Sequence, residues 1–396
     1  MLKHFLVERI FILDGVRTII GNPFKSLKIY SSAQLAAFVI KALIERNDLS
    51  RNVINEVILG NAISSGEGQN VARQAAIFAD LPEEVIAYSV NNVCGAGMQS
   101  IFLGIQSILA KKTEVVIAGG VESATHTPYF VKRIHKEGDH LKKDDLIDSL
   151  LFDGLFCQIT GKSMGQLVEN IAVKYRISRE EQDQFALKSH YKASLAQEQG
   201  KLLSEIIPIK ALRNNIVQRD DRPRPNLKLE NLRDLPTAFK KGGTVTAGNS
   251  SAPCDGAAGV LLASQKFVKA NKIKPRASIV AYTSIGVHPE TTFESLAPVI
   301  TECLKQADLI MDKIDLFEVS EPFAAPLVLL QKKLNIPDHK LNVMGGDLAL
   351  GHPLGAAGTR VVVTLFHALE EMKLKRGLAC ICYGGGGASA IIIERK

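Results

Sequence analysis

The sequence predicts an α/β protein built from two similar halves. Short β-branched runs alternate with longer amphipathic stretches, which is the pattern of layered α/β proteins. The order strand, reactive loop, helix and glycine-terminated strand occurs twice, once in the first third of the chain and once in the last. A polar stretch at 123–246 separates the two and is too long for a loop inside a compact domain. These observations predict two packed halves with an inserted subdomain.

The first half carries a cysteine between a strand and a helix. Strands are predicted at 57–60, 87–90 and 114–120, and the last of these is apolar on both faces, so we expect it inside the sheet. The strand at 87–90 runs into Cys94, and a helix is predicted at 98–109. Most buried cysteines are inert, but one at a helix N-terminus gains thiolate character from the helix dipole. Cys94 is therefore a candidate nucleophile.

The last third repeats this order with a histidine in the equivalent loop. The predicted strand, glycine-rich loop, helix and second strand lie at 314–319, 345–358, 359–370 and 378–382. His352 in the loop can serve as a base, and Cys382, beside a run of glycines, can handle another proton. Because the loops of Cys94 and His352 are equivalent in the repeat, we expect them to face one another. The three residues together predict an acyl-transfer enzyme.

The insertion at 123–246 is predicted to be a lid or a substrate-holding subdomain. It contains a helix at 178–199, with Ser178 at the N-cap and Glu181 at the capping-box position. A basic segment broken by prolines follows at 219–225.

Composition narrows the class of protein. The 396 residues are 46% apolar and 22% charged, as in soluble globular proteins of two or three domains. The sequence contains no uninterrupted run of eighteen apolar residues, so we expect no membrane span. Residues 1–9 resemble neither a secretory signal nor a transit peptide. Six irregularly spaced cysteines indicate reduced thiols, so we expect a cytoplasmic location. The pattern contains no metal cluster.

The net charge of +7 is modest and its carriers are scattered along the chain. Basic residues are not interleaved with aromatics and tryptophan is absent, so nucleic acid is not the expected partner. A phosphate-bearing small molecule fits better, although a merely soluble basic surface explains the charge equally well.

Several segments resemble the thiolase family over essentially the whole chain. Besides the three reactive loops they are 16–18, 164–165, 169–170, 178–183 and 243–251, and Gly351-His352-Pro353 is among the family's most specific signatures. The resemblance implies a five-layered α-β-α-β-α core with an inserted loop domain that holds coenzyme A. The implied divisions are an N-terminal half at 1–122 plus 247–272, a loop domain at 123–246 and a C-terminal half at 273–396. Homodimers or homotetramers are implied, with acyl-CoA, acetyl-CoA and free CoA as partners and no further cofactor.

The resemblance also assigns roles by position. Cys94 takes the acyl group as a thioester, His352 activates it, and Cys382 moves a proton at the α-carbon of acetyl-CoA. The backbone N–H groups of Cys94 and Gly384 hold the acyl oxyanion, and each such donor stabilises the transition state by roughly 3–4 kcal/mol. Four further residues are implied at the substrate and coenzyme A: Arg224, Ser251, Met164 and Phe323. The implied reaction is acyl-CoA plus acetyl-CoA exchanging with 3-oxoacyl-CoA plus CoA, acetoacetyl-CoA included, by a ping-pong route.

The sequence also departs from the family pattern. Ser320 stands where an asparagine usually positions a water beside His352, and a serine hydroxyl can still hold a water. Pro322 follows, and is tolerable if it lies in the first turn of a helix. Phe293 lies in a segment that replaces a Met-Gly-x-Gly motif of the acyl pocket, so we expect a reshaped pocket.

Two alternatives accompany the thiolase interpretation. A ketoacyl synthase on the same fold would use Cys-His-His or Cys-His-Asn sets, and the second reactive cysteine, Cys382, argues against it. A catalytically impaired acyl-CoA-binding protein would have kept the fold while Ser320 and Pro322 disabled the chemistry.

Overall fold

One mixed sheet of nine strands runs through the computed structural model, which describes residues 8–132, 145–211 and 215–396. The strands are β1 (Ile10–Arg17), β2 (Glu56–Gly60), β3 (Ile86–Val90), β4 (Val115–Glu122), β5 (Gly256–Ser264), β6 (Ala277–Gly286), β7 (Leu316–Val319), β8 (Arg376–Tyr383) and β9 (Gly387–Arg395). Their order across the sheet is β7-β8-β9-β6-β1-β5-β4-β2-β3. The strands predicted from the sequence are present as β2, β3, β4, β7 and β8, and β4 is internal and fully buried, as expected.

The predicted internal repeat is present in the strand pairing. In the first half β2 pairs in parallel with β3 and β4, β4 pairs antiparallel with β5, and β5 antiparallel with β1. In the second half β7 pairs in parallel with β8, β8 antiparallel with β9, and β9 antiparallel with β6. A parallel bridge from Leu341 to Phe317 takes the outer position that β3 holds in the first half. The halves meet where β1 pairs with β6.

Helices complete five layers. They are α1 (Ser32–Arg46), α2 (Val71–Phe78), α3 (Ala96–Leu109), α4 (Met164–Lys174), α5 (Arg179–Glu198), α6 (Leu229–Arg233), α7 (Gln265–Ala270), α8 (Leu296–Gln306), α9 (Ala324–Leu334), α10 (Asp347–Leu350) and α11 (Leu354–Glu371). Helices α1 and α2 pack on the first half of the sheet, α3 and α11 pack together between the halves, and α8, backed by α9, packs on the second half. If each half of the sheet is counted as one β layer, the order of the layers is the predicted α-β-α-β-α.

The central helices cross at glycines. Thr359 Oγ1 donates to the Gly97 carbonyl at 2.8 Å, and a Cβ atom on Gly97 would lie 2.7 Å from the Gly355 carbonyl oxygen. Helix α11 begins at Leu354, five residues before the predicted start, and α10 occupies part of the predicted loop. The expectation of a loop up to residue 358 was wrong because Gly355 and Gly358 serve close helix packing rather than a turn. The crossing holds the N-terminal ends of α3 and α11 side by side.

The insertion is attached to the core by buried ion pairs. Arg17 of β1 is fully buried and binds Glu205 at 2.6 Å and Asp220 at 2.7 Å. Helix α5 packs against α9 and α10, and Ser178 and Glu181 form the predicted capping box at its N-terminus. The domain boundaries drawn from the sequence stay a prediction. None of the described helices is long and apolar enough to cross a membrane.

Shorter elements connect these parts. Two-residue strands pair as Tyr129–Phe130 with Ile147–Asp148, Phe156–Cys157 with Lys162–Ser163, and Ile209–Lys210 with Ile216–Val217. Single turns of 3₁₀ helix lie at Arg51–Val53, Ala124–His126, Met311–Lys313 and Asp338–Lys340, with a longer one at Pro289–Glu294 and a π-helix at Leu150–Leu155.

Candidate active site

A cavity of about 350 Å³ lies between the insertion and the ends of the two central helices. Cys94, His352, Cys382 and Gly384, which the sequence predicted to act together, all line it. Three of the four residues predicted at the substrate line it too: Ser251, Met164 and Phe323. The structure therefore brings seven of the nine predicted site residues to one cavity.

Cys94 lies on a strained turn just before the N-terminus of helix α3. Val93 has a φ of +50°, which is rare for a β-branched residue and costs conformational energy. Asn91 holds this turn, because its side chain accepts from the Val93 N–H at 2.9 Å and donates to the Ala62 carbonyl at 3.0 Å. The chain is also tightly packed at the next residue, because a Cβ atom on Gly95 would lie 2.4 Å from the Tyr383 ring. The half-buried Cys94 thiol is thereby presented to the cavity.

His352 follows the turn after α10 and is bound to a buried acid. Its Nδ1 lies 3.1 Å from Asp347 Oδ2, and its backbone N–H donates to the Ala252 carbonyl at 2.9 Å. Burial alone would lower the pKa of His352, but the negative charge of Cys94 and the bond to Asp347 outweigh it and raise the pKa to about 10. The charged imidazolium form of His352 is therefore stabilised in this site.

Asp347 accepts four hydrogen bonds. Its Oδ2 accepts from the Ser320 hydroxyl and from the Glu321 N–H at 2.9 Å as well as from His352, and its Oδ1 accepts from Arg360. Burial would raise the pKa of Asp347, but Arg360 and His352 hold it well below its usual range. The acid thus stays ionised at neutral pH.

Ser320 does not line the cavity. Its side chain is fully buried and its hydroxyl donates to Asp347, behind His352. The expectation that this hydroxyl holds a water at the substrate is therefore corrected, because the Asp347 carboxylate is a stronger, charged acceptor. Pro322 also differs from expectation: it precedes the N-cap residue Phe323 of α9 and lies outside the first turn, so it breaks no helical hydrogen bond.

Cys382 faces the cavity from the end of β8 and is almost fully buried. Burial, and then the negative charge of Cys94, raises the pKa of the Cys382 thiol. This thiol is consequently a proton donor at neutral pH. Gly384 lies just beyond, where a Cβ atom would come 3.6 Å from the Val93 side chain and 3.8 Å from Met164 Sδ.

Aromatic side chains form the apolar wall of the cavity. Phe323 contacts Phe293 edge-on, with ring centroids 5.5 Å apart, and Phe239 at 6.0 Å. All three line the cavity, with further apolar residues from the insertion. Those residues are Leu151, Leu155 and Phe156. Phe293 therefore shapes the wall, as its departure from the family motif predicted.

Arg224 lies apart from this cavity. It is exposed, and its backbone N–H donates to His190 Nδ1 at 3.3 Å. The nearby Arg222 is more buried and donates to Asn22 at 2.8 Å. A contact between Arg224 and coenzyme A stays a prediction.

Sequence reasoning missed two buried acids, Asp347 and Glu122. Glu122 accepts from the backbone N–H groups of Ala62 at 3.0 Å, Ile63 at 3.2 Å and Gly355 at 2.9 Å, and so ties β4 to the start of α11. Burial raises its pKa to about 8 in spite of these donors. The signal for Asp347 was its place in the glycine-rich loop five residues before His352, whereas nothing local marks Glu122.

Fold and cavity together define a class of enzyme. Two cysteines and a histidine line an apolar cavity at the N-terminal ends of two central helices, in a core of duplicated α/β halves. Such a site suits acyl transfer through a cysteine thioester.

Comparison with known proteins identifies the family. The model for the N-terminal domain of thiolase matches residues 10–266, and that for the C-terminal domain matches 273–395. A probable acetyl-CoA acyltransferase of Staphylococcus epidermidis is 39% identical over 98% of this chain and 99% of its own. An acetyl-CoA acetyltransferase of Escherichia coli is 40% identical over 97% of this chain and 98% of its own. The crystal structure of human mitochondrial 3-ketoacyl-CoA thiolase in complex with CoA has a TM-score of 0.94 at 36% identity, with 99% of each chain covered. The chain belongs to the thiolase family.

Membership settles the reaction class. The chain is an acyltransferase that moves acyl groups between coenzyme A thioesters, which confirms the family, fold and reaction predicted from the sequence. The impaired-protein alternative is not favoured.

Proposed function

We propose that the chain cleaves and forms 3-oxoacyl-CoA by a ping-pong reaction through a thioester on Cys94. The observation that carries this is the meeting of Cys94, His352 and Cys382 on one largely apolar cavity. No metal or redox group is needed, because a thioester carbonyl held by N–H donors can itself stabilise the enolate.

In the cleavage direction, the Cys94 proton moves to His352 Nε2 and the thiolate attacks the 3-oxo carbonyl carbon. The backbone N–H groups of Cys94 and Gly384 hold the oxyanion. The bond between the α- and β-carbons then breaks, its electron pair stays on the α-carbon, and the Cys382 thiol supplies the proton that completes acetyl-CoA. The raised pKa of Cys382 supports this role, because the thiol is protonated in the resting enzyme.

The second half-reaction releases the acyl group. The thiol of free CoA attacks the Cys94 thioester as its proton passes to the Cys382 thiolate, which restores that thiol, and the proton on His352 Nε2 returns to the Cys94 sulfur as acyl-CoA leaves. Condensation is the same sequence reversed, with the Cys382 thiolate removing the α-proton of acetyl-CoA.

The acyl group proposed for this cavity is an unbranched chain longer than acetyl. The wall of Phe239, Phe293 and Phe323 supplies apolar contact and no buried charge, which suits methylene groups. Each methylene group buried there contributes about 0.8 kcal/mol to binding. Ser251 and Met164, on the same cavity, are proposed to contact the pantetheine arm, and Arg224 the nucleotide.

The working unit is proposed to be a homodimer formed at the edge strand β3. Strand β3 ends the sheet, and Ile86 on it is 62% exposed. The adjacent helix α2 exposes Ile77 and Phe78. An unpaired strand edge beside exposed apolar side chains suits pairing with a second copy about a twofold axis. A pair of such dimers would give the homotetramer also expected from the sequence.

A cytoplasmic location is proposed from the thiol chemistry. All six cysteines are free, and two of them must stay reduced for the proposed reaction. A reducing compartment provides that condition.

The function is tested by two measurements on one preparation. Cleavage of 3-oxoacyl-CoA thioesters of increasing chain length, followed by loss of substrate in the presence of CoA, should show turnover with a preference beyond acetoacetyl-CoA. Mass spectrometry after incubation with acetyl-CoA should find one acetyl group on Cys94, absent from Cys94→Ala.

Two results would contradict the proposal. An adduct on Cys382 alone would reverse the assignment of the cysteines. Tight acyl-CoA binding without any turnover would favour the impaired acyl-CoA-binding protein.

A further inference from the structure

The buried Asp347 carboxylate hydrogen bonds His352 on Nδ1, the ring nitrogen that Cys94 is not proposed to use. Neither the family resemblance nor the proposed mechanism uses this acid. It is the first residue of α10, five residues before the histidine, and is fully buried.

We propose that Asp347 is a positioning residue that completes a Cys94-His352-Asp347 triad, fixing the tautomer of His352 and stabilising its imidazolium. The inference rests on the proposed function of Cys94 and His352 and adds a third member to their set.

The tautomer follows from donor and acceptor chemistry. An ionised carboxylate only accepts hydrogen bonds, so the Nδ1 that lies 3.1 Å from Asp347 Oδ2 must carry a proton. In the neutral ring Nε2 is then the acceptor. Nε2 is buried and, apart from the Cys94 thiol, meets no hydrogen-bond partner among the residues that the structure describes. Nε2 therefore holds the proton that comes from Cys94, while Asp347 keeps its charge and accepts from Nδ1 throughout.

Arg360, Ser320 and Glu321 hold the Asp347 carboxylate in place. Arg360 is fully buried and binds Asp347 Oδ1 with one arm and Glu318 at 2.5 Å with the other. The Ser320 hydroxyl and the Glu321 N–H bind Oδ2. The carboxylate cannot rotate without breaking several charge-assisted bonds, which fixes the ring of His352 through it.

The hydrogen bond to Asp347 gives the Ser320 side chain a structural role. A side chain that donates one hydrogen bond to Asp347 from the end of β7 must be short, and the serine hydroxyl does so without leaving a polar atom unpaired. Ser320 then supports the histidine through the Asp347 carboxylate.

The pH behaviour depends on a defined set of charges. The titratable and charged side chains that act on His352 and Asp347 from all packed elements are Cys94, Cys382, Glu318, Glu321 and Arg360. Asp347 itself bonds Nδ1 directly and, after Cys94, is the main group that raises the pKa of His352, so neutralising this acid should lower that pKa.

The test compares Asp347→Asn with Glu318→Gln. Both neutralise a buried carboxylate that binds Arg360, but only Asp347 also binds His352. The rate of Cys94 alkylation by iodoacetamide is measured against pH, with kcat and KM for CoA. For Asp347→Asn we expect at least about tenfold slower alkylation at pH 7, with the midpoint of the pH profile moved upward by a unit or more. We expect kcat to fall by about 10²–10⁴-fold while KM changes little, as loss of the acid does in the Ser-His-Asp triad.

The control and an independent measurement keep the proposal falsifiable. Glu318→Gln should lower the unfolding temperature and move the alkylation profile much less than Asp347→Asn does, because Glu318 reaches His352 only through Arg360 and Asp347. An equal displacement in both variants, or none in Asp347→Asn, would reduce Asp347 to an ion-pair partner of Arg360. If Asp347→Asn does not fold, ¹⁵N spectra of histidine-labelled unmodified protein, assigned with His352→Asn, decide. In those spectra, followed up to the pH at which the ring of His352 becomes neutral, a neutral ring that keeps its proton on Nδ1 supports the triad, and one protonated on Nε2 overturns it. Neither alkylation nor these spectra require turnover, so failure of the proposed function would be seen separately.

Discussion

At the scale of single residues, the division of labour between the two cysteines follows from their surroundings. Cys94 is half-buried on a strained turn beside the imidazole of His352, whereas Cys382 is almost fully buried and its thiol has a raised pKa. One sulfur is thus prepared to attack and the other to donate a proton.

Replacement of Cys382 by serine should separate the two half-reactions. Acetylation of Cys94 should persist, because the acyl oxyanion and His352 are untouched. Exchange of the acetyl-CoA methyl protons with deuterium should be lost, because a serine hydroxyl is a far weaker base than a thiolate. Mass spectrometry measures the first and proton NMR in D₂O the second. Equal loss of both activities would show that the roles are misassigned.

Phe293 should limit the length of the acyl chain. Phe293→Ala removes one of the rings that pack on Phe323, so the optimum of 3-oxoacyl-CoA cleavage should move to longer chains. Truncating a buried phenylalanine costs about 3–5 kcal/mol of stability, so the unfolding temperature is followed in parallel. An unchanged chain-length profile in a folded variant would place the acyl chain elsewhere.

At the scale of elements, the crossing of α3 and α11 sets the distance between the nucleophile and its base. Gly97→Ala would put a Cβ atom 2.7 Å from the backbone of α11, which forces the helices apart. We expect a loss of unfolding free energy of about 1–3 kcal/mol or more, with a fall in kcat, measured by denaturant unfolding and turnover.

Gly286→Ala is the matched control. Gly286 ends β6, and a Cβ atom there meets no atom within 4 Å. Its unfolding free energy should change by no more than about 0.5 kcal/mol. A similar loss in both variants would mean that crowding at the helix crossing is not the cause.

Local signals were readable from the sequence, and long-range ones were not. The capping box of Ser178 and Glu181 needs only a four-residue pattern, so the start of α5 could be predicted within a residue. The bond of Ser320 to Asp347 joins positions on different elements that only the folded chain brings together. The start of α11 was predicted too late because glycines occur both in turns and at tight helix crossings, and the sequence alone does not distinguish the two.

At the scale of the whole molecule, the proposed dimer depends on one edge of the sheet. Ile86→Lys should yield monomers, because a charged side chain on an edge strand opposes pairing with another strand. Ile310→Lys is the matched control, since Ile310 is also 62% exposed but lies far along the chain in another loop. Sedimentation velocity measures both. A dimer that survives Ile86→Lys would place the interface elsewhere.

The pairing of β1 with β5 has a consequence for synthesis on the ribosome. Ile10 pairs with Ser264, so the first strand waits for a partner made about 250 residues later. At typical elongation rates of 5–20 residues per second, this wait lasts roughly 10–50 s. During that time a segment that is buried along its whole length in the fold has no partner strand to pair with. We therefore expect β1 to need protection, such as a chaperone provides, until its partner strand has been made.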